Sequence, residues 1–239
     1  MPRRAYVMLM ALLLVACQPG SPIEAPTSTA LPPTPTSTQI SPTDTPAPPT
    51  ATQIPPTEPV ILDFERTGAM LLIIGSHFDA VEFSGTQSTF LRAGYEVVVG
   101  AFTLNPLPDN RGGPGQKPDI LLSDVRVEDF DAIVFIGGGA MGYLNDPEAH
   151  RIAQETVEQG RVLAAICHGP LVLAKAGVLE GRRATAYFGT DSDECRKLQR
   201  DGAICTYANV EQDGLIITGR DPSATGAFAG AILRLLQGP

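Results

Sequence analysis

An apolar run that ends abruptly at a cysteine constrains this chain more than any other stretch. Arg161 to Ile166 is almost wholly apolar and leads directly into Cys167-His168-Gly169-Pro170, then Leu171-Val172-Leu173-Ala174. A short apolar run of this kind reads as a buried strand, and proline suits the first turn of a helix, where a backbone N–H has no partner to lose. The segment is therefore a strand, a tight turn and a helix, with a thiol at the turn. Free N–H groups at a helix start favour an anion, so the same placement predicts a cysteine prone to ionise. A lone cysteine is ordinarily inert packing; the turn residues around this one favour the reactive reading.

The same grammar recurs along the chain. Ala69 to Ile74, Tyr95 to Val99 and Asp131 to Ile136 read as strands, with a shorter one from Ile120 to Leu122. Ala80 to Ala93 reads as a helix closed by Gly94, and Asp146 to Gln159 as another with Pro147 in its first turn. Asn105 to Lys117, rich in Gly and Pro, is loop. Beyond the cysteine come an extended stretch from Arg183 to Tyr187, a helix from Asp193 to Gln199, strands near Ala203 to Tyr207 and Leu215 to Thr218, and a closing helix from Pro222 to Leu236. Alternation of this kind predicts an α/β three-layer sandwich, a largely parallel sheet with helices on both faces. Such sheets bind ligands at the carboxyl ends of their strands. The Gly75 to Glu82 segment, Gly137-Gly138 and Cys167 all fall there.

Composition divides the 239 residues unevenly. Residues 1–16 carry Arg3 and Arg4 ahead of an apolar run from Ala5 to Ala16, a secretory signal too short to span a membrane. Its Leu14-Val15-Ala16-Cys17 ending resembles the lipobox of bacterial lipoproteins, which implies lipidation of Cys17 and an exported protein anchored to the outer face of a bacterial cell membrane. Several acyl chains on one cysteine hold where a single chain would not. Residues 17–59 are dominated by Pro, Thr, Ser and Ala, a composition that cannot form a core and that favours an extended stalk. Residues 60–239 form the expected folded domain, long enough for one sizeable core. The net charge of −9, with no Lys/Arg cluster, argues against nucleic acid as a partner.

Three histidines, His77, His150 and His168, limit the chemistry. A glutamine amidotransferase of this general fold needs a histidine well downstream of its cysteine, and none follows His168. No His or Cys pair has metal-ligand spacing, so neither a metal nor another cofactor is expected.

Ala165-Ile166-Cys167-His168-Gly169-Pro170 resembles the nucleophile turn of the DJ-1/PfpI (ThiJ/PfpI) family, in the class I glutamine amidotransferase-like superfamily with its flavodoxin-like sheet. The resemblance extends over most of Ala69 to Gln237. Phe78-Asp79-Ala80-Val81-Glu82-Phe83 is similar to the family's acidic segment after the first strand, and Leu91 to Val97 to its Arg-Ala-Gly step. Phe130 to Gly138 and Asp213 to Arg220 are similar to two later strands. The resemblance implies that Cys167 is the nucleophile, that Glu82 bonds its sulfur as a protonated donor, and that His168 is the neighbouring base. Backbone N–H groups of Gly138 and His168 would form an oxyanion hole. Asp79, His77 and Tyr187 fall near the implied pocket, although a strand aromatic explains Tyr187 equally well and a surface loop explains His77 better. Ile136 stands where the family has proline, and no third carboxylate of a triad can be matched.

The resemblance implies a cysteine-dependent hydrolase or lyase acting on small carbonyl compounds or their adducts, of glyoxalase or deglycase type. Alternatives are a peptidase, a redox-sensing or chaperone-like domain in which Cys167 is oxidised, and a ligand sensor. It also implies a homo-oligomer, a state the residues themselves do not disclose. Cys195 and Cys205 lie at a closable distance in an exported chain, and the sequence leaves open whether they are bridged.

Overall fold

The computed structural model describes residues 67–189 and 193–238. The expected signal (1–16), Cys17, the stalk (17–59) and the first residues of the expected domain lie outside them.

Each of the first strands is an apolar run flanked by a turn. β1 (Ala69–Ile73) leads into α1 (Ala80–Arg92), then β2 (Glu96–Ala101), the short β3 (Ile120–Leu121) and β4 (Ala132–Phe135). α2 (Pro147–Glu158), β5 (Val162–Ile166) and α3 (Pro170–Lys175) follow. After them come β6 (Arg183–Ala184), α4 (Glu194–Arg200), β7 (Ile204–Cys205), β8 (Val210–Asp213), β9 (Ile216–Gly219) and α5 (Thr225–Gln237). Seven strands form one sheet in the order β3-β2-β1-β4-β5-β9-β8. All its pairings are parallel except the antiparallel edge pair β8–β9.

Because side chains alternate across a strand, the sheet buries two faces. On one, Met70, Leu72, Val134, Ala164 and Ile217 meet Phe83 and Phe90 of α1 and Phe228 and Ile232 of α5. On the other, Leu71, Ile73, Ile133, Phe135 and Leu163 meet Ile152 of α2, Leu171 to Leu173 of α3 and Leu198 of α4. This is the expected three-layer sandwich.

The later elements differ from expectation. The stretch from Arg183 to Tyr187 is strand only at its first two residues, pairing with β7 in a separate two-stranded sheet. The edge strand β8 is additional; its Val-Glu-Gln-Asp sequence has no apolar run because its faces are only partly buried. The order in which strands are added reverses at β1, with β2 and β3 on one side and β4 and β5 on the other. That switch point opens a crevice at the strands' carboxyl ends.

Candidate functional site

Three strand ends meet in that crevice. β5 delivers Cys167, whose N–H continues the ladder to the Gly219 carbonyl at 2.9 Å before the chain turns. The turn forces Cys167 into the left-handed region at φ 63°, a conformation non-glycine residues rarely adopt. Strain of that sort persists only where the surroundings hold it, and it clusters at functional positions. Here Gly169 N–H donates to the Ile166 carbonyl at 2.9 Å, and Tyr187 N–H donates to the Cys167 carbonyl at 2.9 Å.

α1 supplies the carboxyl. Asp79 caps the helix, its Oδ1 accepting from Val81 N–H at 2.9 Å and Glu82 N–H at 3.1 Å, and so aims Glu82 into the domain. Glu82 is completely buried. Its Oε2 accepts from Gly137 N–H at 2.9 Å, and its carboxyl bonds Cys167. Burial, and then the neighbouring Asp79 charge, push Glu82 up to about 8, against the pull of those two hydrogen bonds. β4 supplies the glycines. A Cβ on Gly137 would fall 2.5 Å from the Cys167 Cβ and 2.5 Å from Glu82 Oε2, so only glycine lets thiol and carboxyl approach. Gly138, at φ 71°, turns its N–H toward Cys167.

The expectation of a readily ionised thiol needs correction. Cys167 is only 5% exposed, and α3 behind it is a helix of 6 residues. Burial, followed by the Glu82 charge, pushes the thiol well above its ordinary range, outweighing the Gly138 amide. A thiolate becomes affordable when Glu82 holds the proton, because the carboxyl then faces sulfur as a donor instead of a second anion.

His168 Nδ1 lies 3.1 Å from Cys167 Sγ. Its ring stacks on Tyr187 with centroids 5.3 Å apart, and its Nε2 is 3.7 Å from Glu194 Oε1. Burial lowers the histidine's pKa, while Glu194 works in the opposite direction. Burial thus favours the neutral imidazole, whose Nδ1 faces the sulfur. Glu194, itself buried and paired with Lys197 at 2.7 Å, is the residue the sequence did not disclose. It heads a short polar helix later in the chain, and no spacing rule links it to His168.

Cys167, His168, Glu82, Gly138 and Tyr187 are therefore brought together. Asp79 stands one step back as a cap, also held by Asn110 Nδ2 at 2.7 Å. His77 points outward at φ 63°, its Nδ1 3.0 Å from Ser76 Oγ, and only its backbone packs on Gly138. Cys195 and Cys205 are joined in a disulfide, with Cα atoms 5.5 Å apart. Among the described residues no cluster of His, Cys, Asp or Glu is arranged to hold a metal.

Fold and site together define an open α/β domain with a buried cysteine, an adjacent imidazole and a proton-holding carboxyl at the switch point. The DJ-1/PfpI family model matches residues 69–235, and the chain belongs to that family. It is 30% identical over 169 residues to Deglycase PH1704 of Pyrococcus horikoshii, covering 70% of this chain and 99% of the relative. Against the Bacillus subtilis protein named "Putative cysteine protease YraA", identity is 30% over 167 residues, with 70% and 96% covered. The crystal structure of Drosophila melanogaster DJ-1beta superposes with a TM-score of 0.65 at 27% identity, covering 72% of this chain and 91% of that one.

Proposed function

We propose that this protein is a cysteine-dependent enzyme that converts small reactive carbonyl compounds, with 2-oxoaldehydes as its simplest substrates. The carrying observation is the buried Glu82 carboxyl, held near pKa 8 against a thiol that is 5% exposed. A site that enclosed admits an aldehyde more readily than an extended peptide, and its carboxyl is poised to gain and lose a proton near neutrality. The relatives named deglycase support the same class, and the relative named as a protease shares its nucleophile chemistry.

In this reading the Cys167 sulfur adds to the aldehyde carbon as His168 takes the thiol proton, and Glu82 gives its own proton to the resulting alkoxide to form a hemithioacetal. The imidazolium then returns a proton to the Glu82 carboxylate, so that His168 is neutral again. His168 removes the hydrogen on that carbon. The electron pair moves toward the former ketone, whose oxygen is stabilised by the Gly138 amide. His168 returns that proton to the adjacent carbon while the hemithioacetal hydroxyl gives up its own, by way of Glu82, to the former ketone oxygen, leaving a thioester of a 2-hydroxy acid. Water then cleaves the carbon–sulfur bond, releasing the acid and regenerating the thiol. Overall one water is consumed and no external oxidant is needed.

The test is to incubate the purified protein with methylglyoxal and measure lactate. Wild type is expected to form it, and Cys167→Ala to lose at least about a thousandfold in kcat/KM, the scale of losing a nucleophile. If the wild type makes no lactate while mild peroxide converts Cys167 to a stable sulfinate, the sensing reading replaces this one. We further propose that the domain is exported and held at a membrane by acyl chains on Cys17. The lipobox-like Leu14-Val15-Ala16-Cys17 supports this, as does the disulfide, a bond that persists mainly outside the cytosol.

A further inference from the structure

The disulfide sits against the site. Cys195 is completely buried in the first turn of α4 and follows Glu194 directly, and its partner Cys205 ends β7, outside the seven-stranded sheet. The bond is the first link of a short physical chain. Cys195 fixes the first turn of α4. That turn presents Glu194 Oε1 to His168 Nε2 at 3.7 Å, and His168 Nδ1 reaches Cys167 Sγ at 3.1 Å. The same turn also holds the histidine's other neighbour, because Glu194 N–H donates to the Tyr187 carbonyl at 2.8 Å while the Tyr187 ring stacks on the imidazole.

α4 has 7 residues, too few to be stable as a helix without tertiary support. Leu198 anchors its later part in the core. The turn bearing Glu194 depends on its Asp193 cap and on Cys195. The strands that position Cys167 and Glu82 pair within the main sheet without either cysteine.

We propose that the Cys195–Cys205 disulfide is a positioning element of the active site: it holds Glu194 and Tyr187 against His168, so that the reactivity of Cys167 follows the bridge's redox state. The proposal rests on Cys167 and His168 acting as the reactive pair. A dithiol lowers the reactivity of the site. One of its thiolates attacks the bridge to give a mixed disulfide, the second displaces the remaining cysteine, and two electrons leave Cys195 and Cys205 as thiols and the reductant as its cyclic disulfide. Cys167 is already a free thiol and is unchanged by this step.

The test compares four full-length proteins: wild type, Glu194→Gln, Cys195→Ser/Cys205→Ser, and the three substitutions combined. The readout is carbamidomethylation of Cys167 by iodoacetamide from pH 5 to 10, followed by mass spectrometry of that peptide, so no substrate need be assumed. Charged groups acting on His168 are Glu194, Lys197 and Asp79. Loss of the Glu194 contact by either route removes a charge that raises His168 and is expected to move the histidine-dependent limb the same way, to lower pH, while the loss of the ring's fixed orientation toward Cys167 slows alkylation about tenfold at pH 7. Adding Glu194→Gln to the serine pair is expected to change the rate less than about twofold, the signature of residues that act through one another. Wild type opened with dithiothreitol at low temperature, then freed of reductant anaerobically, should match the serine pair.

Independent, multiplying effects of the substitutions would overturn the proposal, as would a wild-type profile in the serine pair. Loss of near-ultraviolet circular dichroism on opening, in both the variant and the reduced wild type, would also overturn it, because the bridge would then merely hold the fold. Methylglyoxal turnover is measured in parallel. If the alkylation profiles couple but no form makes lactate, the carbonyl assignment fails and the bridge's role stands.

Discussion

At the scale of single residues, Glu82 carries the sharpest expectation. Its carboxyl titrates near 4.5 in an unfolded chain and near 8 in the folded one, with burial the largest cause. A raised carboxyl binds its proton more tightly in the native state, so its contribution to stability is complete below about pH 4.5. It is lost as pH climbs through 8. Denaturant midpoints should therefore fall between pH 5 and pH 8.5, and Glu82→Gln, neutral throughout, should flatten that slope. An unchanged slope would mean the carboxyl is already charged in the folded protein. Gly137 makes the complementary case. Gly137→Ala inserts a methyl between Cys167 and Glu82, which should cost about 1–3 kcal/mol and slow alkylation of Cys167, both readable on one purified variant. Ile136 shows why a departure from the family pattern matters little. Its N–H donates to the Ile73 carbonyl at 3.0 Å, so the residue replacing the family's proline extends the β1–β4 ladder with a bond that proline cannot make.

At the scale of elements, α1 links capping to chemistry through Asp79. Asp79→Ala removes the cap on Val81 and Glu82, at about 1 kcal/mol. It also removes the charge that helps hold Glu82 and Cys167 up. Asp79→Asn keeps most of the cap and removes only the charge. Urea unfolding should separate the two variants, while alkylation of Cys167 should shift to lower pH in both; a shift confined to Asp79→Ala would assign the effect to a displaced helix. The contrast between elements also explains what the sequence could disclose. β1, β4 and β5 are buried on both faces, so they read as continuous apolar runs, and the glycine and proline at their ends marked the site. β8 lies at an edge and reads as polar, while β6 and β7 have two residues each. Glu194 was invisible for the same reason. Its place beside His168 depends on how α4 packs, and on a cystine pairing that spacing alone did not decide.

At the scale of the whole molecule, the crevice lies where the order of the parallel strands reverses at β1, and the membrane proposal concerns where that crevice works. Among the described residues no helix is long and apolar enough to cross a membrane. The anchor proposed for the domain is chemical instead: acyl chains on Cys17, each adding roughly 0.8 kcal/mol for every methylene it buries. Expressed from its full reading frame in a bacterial host, the protein should enter the detergent phase of Triton X-114 and incorporate labelled palmitate. Cys17→Ser should abolish the label and move the protein to the aqueous phase, while leaving alkylation of Cys167 unchanged, since the substitution lies far along the chain from the site. A Cys17→Ser protein that still partitions into detergent would place the attachment in the apolar run from Ala5 to Ala16 and remove the lipid from the account. The state of the Cys195–Cys205 bridge in the same cells provides an independent check. An oxidised bridge is expected of a domain outside the cytosol, and a reduced one would count against export even if the label were found.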